Sequence, residues 1–392
     1  MIAGRMIFFL SLHYLFNIMN NKGKKRVLVA MSGGIDSSVT AMLLKEQGYD
    51  IVGITMKTWD YATACSTKKQ IGCCNLDAIQ DAREVAAKYD FPYMVLDIRE
   101  EFGHQVINHF TDEYLKGRTP NPCVLCNTHI KWAALLRRAD KLGCDYIATG
   151  HYAQVRKESE RYVLYKGKDV RKDQSYALWG VSQRCLSRTM LPLGHMTKDV
   201  IRKLATARGF DNLVKKSESY EICFIPDNNY RGFLKKRVKG LEERVKGGDF
   251  ILEDGTVVGK HEGYPFYTVG QRRGLHLSLG HPVYVTEIRP DSNQVVVGGL
   301  DELSRDGMYV HQLNMVKYPM IKTPMDAVVK VRYGGEGTAA VITQEEGRMK
   351  VFFGKGVHAI APGQAAVFYE GEDVIGGGWI ASSFDQHTHG KA

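Results

Sequence analysis

A doubly wound parallel α/β domain, followed by a small β-rich middle domain and a C-terminal β-barrel, is the fold class this sequence predicts. Three observations carry the prediction. From residue 24 to about residue 150, short β-branched runs alternate with helical periods, the pattern of strand–helix–strand units. A turn rich in glycine and serine separates the first run from the first helix. Beyond about residue 250, helical periods give way to short alternating runs punctuated by turns such as Glu253-Asp254-Gly255 and Gly334-Gly335-Glu336-Gly337.

In chain order, residues 26–31 (RVLVAM) read as a buried strand, 36–47 (DSSVTAMLLKEQ) as an amphipathic helix closed by Gly48, and 50–56 as the next strand. Residues 75–89 follow as a helix, 92–98 as a third strand, 127–142 as a helix stopped at Gly143, and 144–149 as a fourth strand running into Gly150-His151. Ligands of such sheets sit beyond the carboxyl ends of the strands. Residues 231–248 are charged and glycine-punctuated, a linker or short helical insert, and runs 328–333, 349–353 and 365–369 belong to the barrel. The resulting division is a leader, 1–23, a catalytic domain, 24–227, a middle domain, 228–300, and a barrel domain, 301–392.

With 392 residues the chain is too long for one core. Its 44% hydrophobic and 24% charged residues exclude a disordered chain or a coiled-coil rod, and its 40 glycines show no collagen period. A net charge of +10 suits a polyanionic partner. Eight cysteines are too dilute for a secreted disulfide scaffold and indicate thiol or metal chemistry in a reducing, cytoplasmic setting. The apolar run 7–16 after Arg5 lacks a small-residue cleavage site and is too short to span a bilayer, so the expectation is an over-long start or a disordered leader, and no membrane.

The turn Ala30, Met31, Ser32, Gly33, Gly34, Ile35, Asp36, Ser37 carries the strongest local signal. Paired glycines let backbone N–H groups close on an anion, serines add hydroxyls, and the helix start adds its positive dipole end. Asp36 is either a group that orients magnesium or pyrophosphate or simply the helix cap. A Walker A pattern is absent; the turn resembles the PP-loop of the ATP pyrophosphatases. The second signal is Asn121-Pro122-Cys123-Val124-Leu125-Cys126 before a helix that Asn127 or Thr128 would cap, a setting that lowers the pKa of Cys126. Cys223 follows far along the chain. Cys65, Cys144 and Cys185 read as buried small hydrophobes, and Cys73-Cys74 is a weak metal candidate.

SGGIDSS, RTPNP with its following CN, ATGHYA, KDQSYALW and ESYEICFI, in that order from about Lys24 onward, resemble the bacterial and organellar tRNA-specific 2-thiouridylase family. The resemblance implies ATP-dependent synthesis of 2-thiouridine at the wobble position of tRNAs of the Lys, Glu and Gln type, with sulfur delivered by a cysteine desulfurase or relay protein. It makes Cys126 the nucleophile, Cys223 the persulfide carrier, and the two a redox disulfide pair. The stretch from Ala30 to Ser37, with Met56 and Gly150, matches ATP contacts. Asn121, Pro122 and Cys123 match the segment that meets the base, although the family often has Asp at the place of Cys123. His151, Lys172, Asp173, Gln174, Arg332, Tyr333 and Gln364 match tRNA contacts. ATP and Mg2+ are the implied small-molecule partners.

The chemistry has its own logic. A uracil C2 oxygen is a poor leaving group until adenylated, after which a persulfide sulfur can attack C2 and release AMP. Cys126 would then attack the persulfide, freeing its sulfur or closing a Cys126–Cys223 disulfide. The wobble base must leave its stack to reach such a site. An amidotransferase or ligase acting on a small metabolite would need no paired cysteines, and no glutaminase region is visible. An alternative uses Cys123, Cys126 and Cys223 as ligands of a [4Fe-4S] cluster with one open iron. The run Lys235-Lys236-Arg237-Val238-Lys239 fits either a phosphate grip or a solvated helix face. Tyr264, Phe266 and Tyr267 with Gln271, Arg272 and Arg273 fit either an RNA surface or the core and turn of a β domain.

Overall fold

The structure, a computed structural model, describes residues 23–59, 76–216 and 222–385. The leader (apart from Gly23), Cys65, Cys73, Cys74 and residues 218–221 of the ESYEICFI motif lie outside them.

Five parallel strands form the first sheet: β1 (Arg26–Ala30), β2 (Asp50–Lys57), β3 (Tyr93–Asp97), β4 (Tyr146–Ala148) and β7 (Thr189–Met190), in the order β3-β2-β1-β4-β7. Val27, Leu28 and Val29 are fully buried, as expected of a strand covered on both faces. Helix α1 (Ile35–Glu46) follows β1 and α2 (Leu76–Lys88) precedes β3. The strand order reverses between β1 and β4, so the turn after β1 and the GHY turn after β4 flank the crevice where such sheets bind ligands.

Two helices contain π turns. The first, α3, runs through Arg99–Phe102, Gly103–Asn108 and His109–Leu115. The second, α4, runs through Pro122–Leu125, Cys126–Trp132 and Ala133–Lys141. It starts five residues earlier than the sequence reading places it. Asn121 is the N-cap, its side chain accepting the Val124 N–H at 3.3 Å, and Pro122 takes the first helical position, where a missing N–H costs nothing. Neither Asn127 nor Thr128 caps this helix. Cys123 therefore lies in the first turn, among the exposed N–H groups, and Cys126 opens the π turn behind it.

A hairpin the sequence reading did not anticipate, β5 (Ala153–Glu158) and β6 (Arg161–Lys166), leaves the parallel sheet and adds to the barrel sheet through β6. Helix α5 (Lys198–Ala207) returns to pack on α1. The charged stretch beyond residue 228 folds as α6 (Tyr230–Arg237) and α7 (Leu241–Val245), not as a linker. The middle domain is a four-stranded sheet, β10-β11-β8-β9, made from β8 (Gly248–Ile251), β9 (Val257–His261), β10 (Tyr284–Arg289) and β11 (Gln294–Gly298). A six-stranded barrel follows: β12 (Ser304–Met315), β13 (Met325–Lys330), β14 (Thr338–Glu345), β15 (Arg348–His358), β16 (Ala365–Glu370) and β17 (Asp373–Phe384), closed by the β12–β17 pairing. Among the described residues no helix is long and apolar enough to cross a membrane.

Candidate active site

The turn after β1 is built to leave N–H groups available. Gly33 sits at φ +71°, and a Cβ there would lie 2.0 Å from the Ala78 carbonyl oxygen, so only glycine allows the turn. The Ser37 hydroxyl accepts the Ser32 N–H at 3.0 Å and donates to the Gly34 carbonyl at 3.1 Å, which folds the loop back on itself. The N-cap of α1 is Gly34, and no side chain caps the helix. The first-turn amides of a 12-residue helix thus face the crevice without a protein acceptor from a capping side chain, the donor set a phosphate group needs.

Asp36 is not the cap. Its carboxylate accepts from the Tyr152 hydroxyl (2.6 Å) and from Lys198 Nζ at both oxygens (2.8 Å each), and Lys198 is 4% exposed. That engagement ties α1 to α5 and to the β4 turn. Gly150 completes the joint: a Cβ there would stand 2.8 Å from the Asp36 carbonyl carbon and the Ser37 nitrogen. Lys198 and Tyr152 escaped the sequence reading. Tyr152 stands inside the ATGHYA motif and could have been flagged; Lys198, 162 positions from Asp36, carries no local signal.

Cys126, 8% exposed, and the half-buried Cys223 join one apolar cluster with Ile98, Phe102, Phe224, Ile225 and Trp59. Phe224 holds this region together through edge contacts with Phe102 (5.8 Å) and Phe110 (5.2 Å). Met56, at the crevice end of β2, packs against the same cluster. Cys144 and Cys185 are 3% and 7% exposed, as buried hydrophobes should be. Cys123, Cys126 and Cys223 do not form a group of three metal donors, nor does any other set of His, Cys, Asp or Glu among the described residues. The arrangement therefore does not fit a cluster, and no step is drawn through one.

Around the exposed Cys123 a second neighbourhood forms. Tyr333, itself exposed, has Asp173, Lys172 and Cys123 within electrostatic reach. Its hydroxyl donates to the Asp173 carbonyl at 3.2 Å, and its ring meets that of Tyr176 edge-on at 5.9 Å. Asn121 reaches the Tyr176 hydroxyl. His151 stacks near Trp132 (5.2 Å) with Nδ1 2.8 Å from Thr149 Oγ1; burial first, then the Lys131 charge, keeps its pKa low and the ring neutral. The Gln174 side chain accepts the Tyr152 N–H at 2.9 Å, a scaffold role, and Arg332 is exposed. Gln364 donates its amide to the Thr119 and Pro120 carbonyls at 3.1 Å each, gripping the loop that leads to Cys123.

Two expectations about basic and aromatic residues resolve towards structure. Lys235 pairs with Glu242 (2.7 Å) and Glu262 (3.3 Å), and Arg237 donates to Asn108, so that part of the run ties α6 to its neighbours. Phe266 and Tyr267 are core residues at 0% and 5% exposure, and the Tyr264 hydroxyl donates to the Leu115 carbonyl; Arg272 and Arg273 are exposed.

Fold and site define a class: doubly wound α/β proteins with an anion turn at the topological switch point, here joined to two thiols and two β domains. Family models agree with this layout. The tRNA methyl transferase HUP domain matches residues 25–227, the tRNA methyl transferase PRC-barrel domain residues 231–299, and the aminomethyltransferase beta-barrel domain residues 305–380. Curated relatives named tRNA-specific 2-thiouridylase MnmA are similar over nearly the whole chain. The protein of Amoebophilus asiaticus is 71% identical over 94% of this chain and 98% of its own. That of Cytophaga hutchinsonii is 65% identical over 94% and 100%, and that of Salinibacter ruber 58% over 92% and 95%. The chain belongs to the MnmA family of tRNA-specific 2-thiouridylases.

Proposed function

We propose that this protein is an ATP-dependent tRNA sulfurtransferase that places sulfur at C2 of the wobble uridine, position 34, in tRNAs of the Lys, Glu and Gln type. The observation that carries the reading is that two thiols nearly a hundred residues apart in sequence, Cys126 and Cys223, belong to one apolar cluster that also takes in Met56 from the end of β2. Ala30, Met31, Ser32, Gly33, Gly34, Ile35, Asp36, Ser37, Met56 and Gly150 hold ATP, the amides of the turn taking its phosphates. Magnesium arrives with those phosphates. Asn121, Pro122 and Cys123, overlooked by Tyr333, receive the displaced base, while His151, Lys172, Asp173, Gln174 and Arg332 border its tRNA. Residues 24–227 form the catalytic domain, 228–300 the middle domain and 301–392 the barrel domain, and the protein works in the cytoplasm beside its substrate.

The reaction balances as follows. Attack of the uridine C2 oxygen on the α-phosphorus expels pyrophosphate and leaves an adenylated C2. The terminal sulfur of a Cys223 persulfide, loaded by a cysteine desulfurase or relay protein, bonds to C2, and the C–O bond to AMP breaks. Cys126 as thiolate then attacks the Cys223 sulfur: the Cys126–Cys223 bond forms, the bond to the transferred sulfur breaks, and its electron pair becomes the thiocarbonyl of the product. A thiol reductant reopens the disulfide for the next cycle. The apolar surroundings keep water from the adenylated base.

The test is a single turnover with persulfide-loaded enzyme, ATP and tRNA, read by mass spectrometry of nucleosides and of peptides. Wild type should yield 2-thiouridine and a Cys126–Cys223 peptide in equal amounts, and Cys223→Ser should carry no transferable sulfur. Full thiolation by Cys223→Ser would overturn the persulfide route.

A further inference from the structure

Each turnover of the proposed cycle leaves a Cys126–Cys223 disulfide, and the surroundings of the two thiols make that bond hard to reach. Cys126 is buried and Cys223 half-buried, both in the apolar cluster that contains Phe102, Phe110 and Phe224. The rate of thiol–disulfide exchange depends on the access of the attacking thiol to the sulfur it strikes. A reductant in solution meets aromatic side chains before it meets this bond. Cys123 differs from both: its thiol is exposed.

Cys123 and Cys126 stand one turn apart on the same helix. Asn121 caps α4 and Pro122 opens it, so Cys123 takes the second helical position, and the Cys126 N–H donates to the Pro122 and Cys123 carbonyls. A rise of about 1.5 Å per residue on a Cα radius of about 2.3 Å puts Cα atoms three positions apart at about 5 Å. That falls inside the span of about 4.4–6.8 Å that a disulfide bridges, and side chains three apart share a helix face. The turn is also held in place: the Thr119 N–H donates to the Pro362 carbonyl at 2.8 Å, and Gln364 donates to the Thr119 and Pro120 carbonyls at 3.1 Å each. Within one turn, then, the chain passes from a thiol at the surface to a thiol in the core, and the core thiol shares its cluster with Cys223. Cys126 is the sulfur common to both neighbours.

We propose that Cys123 is the thiol that reopens the Cys126–Cys223 disulfide, relaying electrons from a small monothiol in solution to the buried pair; this rests on the reading that turnover closes that disulfide. Cys123 as thiolate attacks the Cys126 sulfur. The Cys123–Cys126 bond forms, the Cys126–Cys223 bond breaks, and its electron pair leaves on Cys223, which is then ready for its next sulfur. A monothiol attacks the exposed Cys123 sulfur: a mixed disulfide forms there, the Cys123–Cys126 bond breaks, and its electron pair leaves on Cys126. A second monothiol attacks the first, departs with it as the oxidised disulfide, and restores the Cys123 thiolate. The two monothiols supply the two electrons that each sulfur transfer consumes.

The experiment oxidises full-length wild type and Cys123→Ser in two ways, by one turnover of persulfide-loaded enzyme on tRNA and by stoichiometric diamide without tRNA. Each protein is then mixed with reduced glutathione, quenched in acid at intervals and peptide-mapped by mass spectrometry. Wild type should pass through a Cys123–Cys126 disulfide, carry its mixed disulfide with glutathione on Cys123, and be reduced in a fast phase that Cys123→Ser loses. A phosphine in urea should reduce both proteins alike, which assigns the difference to access in the folded state. Wild type reduced no faster than Cys123→Ser, or found with glutathione on Cys126 or Cys223 instead of Cys123, overturns the relay. A turnover arm that leaves no Cys126–Cys223 disulfide in either protein would instead sink the persulfide reading, and the diamide arm still decides whether Cys123 opens that bond.

Discussion

Lys198 is nearly enclosed, and the side chain that balances it is Asp36, on the first turn of α1. Removing the carboxylate leaves an ammonium desolvated against the Tyr152 ring, which lies 5.8 Å from it. Breaking a buried pair from one side costs about 3–5 kcal/mol, whereas replacing both partners with apolar groups of like volume is often neutral. Asp36→Ala should therefore lose both tRNA-dependent pyrophosphate release and about 3 kcal/mol of stability in urea denaturation. The double variant Asp36→Leu/Lys198→Met should recover most of the stability and none of the turnover. Recovery of turnover as well would show that the pair has no bearing on the phosphate turn.

At the level of elements, the loop from Arg118 to Asn121 hangs between α3 and α4, yet it is held from the barrel. The Thr119 N–H donates to the Pro362 carbonyl at 2.8 Å, Gln364 grips the next two carbonyls, and Arg118 pairs with Glu113 behind it. The Tyr176 hydroxyl donates to the Ala365 carbonyl at 2.7 Å from the other side. Gln364 is thus a positioning residue for the cap of α4 and for Cys123. Gln364→Ala should reduce kcat for thiolation by up to about a hundredfold, the effect of an ångström-scale misplacement, while leaving the tRNA Kd and its salt slope unchanged. A weakened Kd with normal kcat would make Gln364 a tRNA contact instead.

Across the whole molecule, the β5–β6 hairpin is the strap between catalytic domain and barrel. Asp373, 8% exposed at the start of β17, accepts both guanidinium nitrogens of Arg156 (2.7 and 2.8 Å) and Lys317 Nζ (2.7 Å), and Lys317 also reaches Glu370. These cations, Arg156 foremost, hold the Asp373 carboxyl below its ordinary pKa. A carboxylate whose folded pKa is depressed stabilises above its unfolded pKa, near 3.9, and loses that contribution as pH falls through its folded value. Asp373→Asn should cost about 3 kcal/mol at pH 7 in urea denaturation, and its deficit relative to wild type should shrink as acid protonates Asp373 in the wild type. A deficit that stays constant down to acid pH would mean that the cost is packing rather than charge.

What is local can be read along the chain: the parallel alternation, the anion turn at Gly33 and Gly34, the switch to β structure, and the family motifs that single out Cys126 and Cys223. Periodicity and turn chemistry act over a few residues, so a linear reading captures them. Even so a linear reading starts α4 at Asn127, because Asn127 and Thr128 are themselves cap residues, whereas the structure uses Asn121 as the cap with Pro122 in the first helical position. Folding is what pairs Asp36 with Lys198, sets Gln364 on the loop before Cys123, joins the hairpin after Gly150 to the barrel, and brings lysines from two domains to one cleft. Each of these joins positions tens to hundreds of residues apart, and no local energy term links them until the chain has folded.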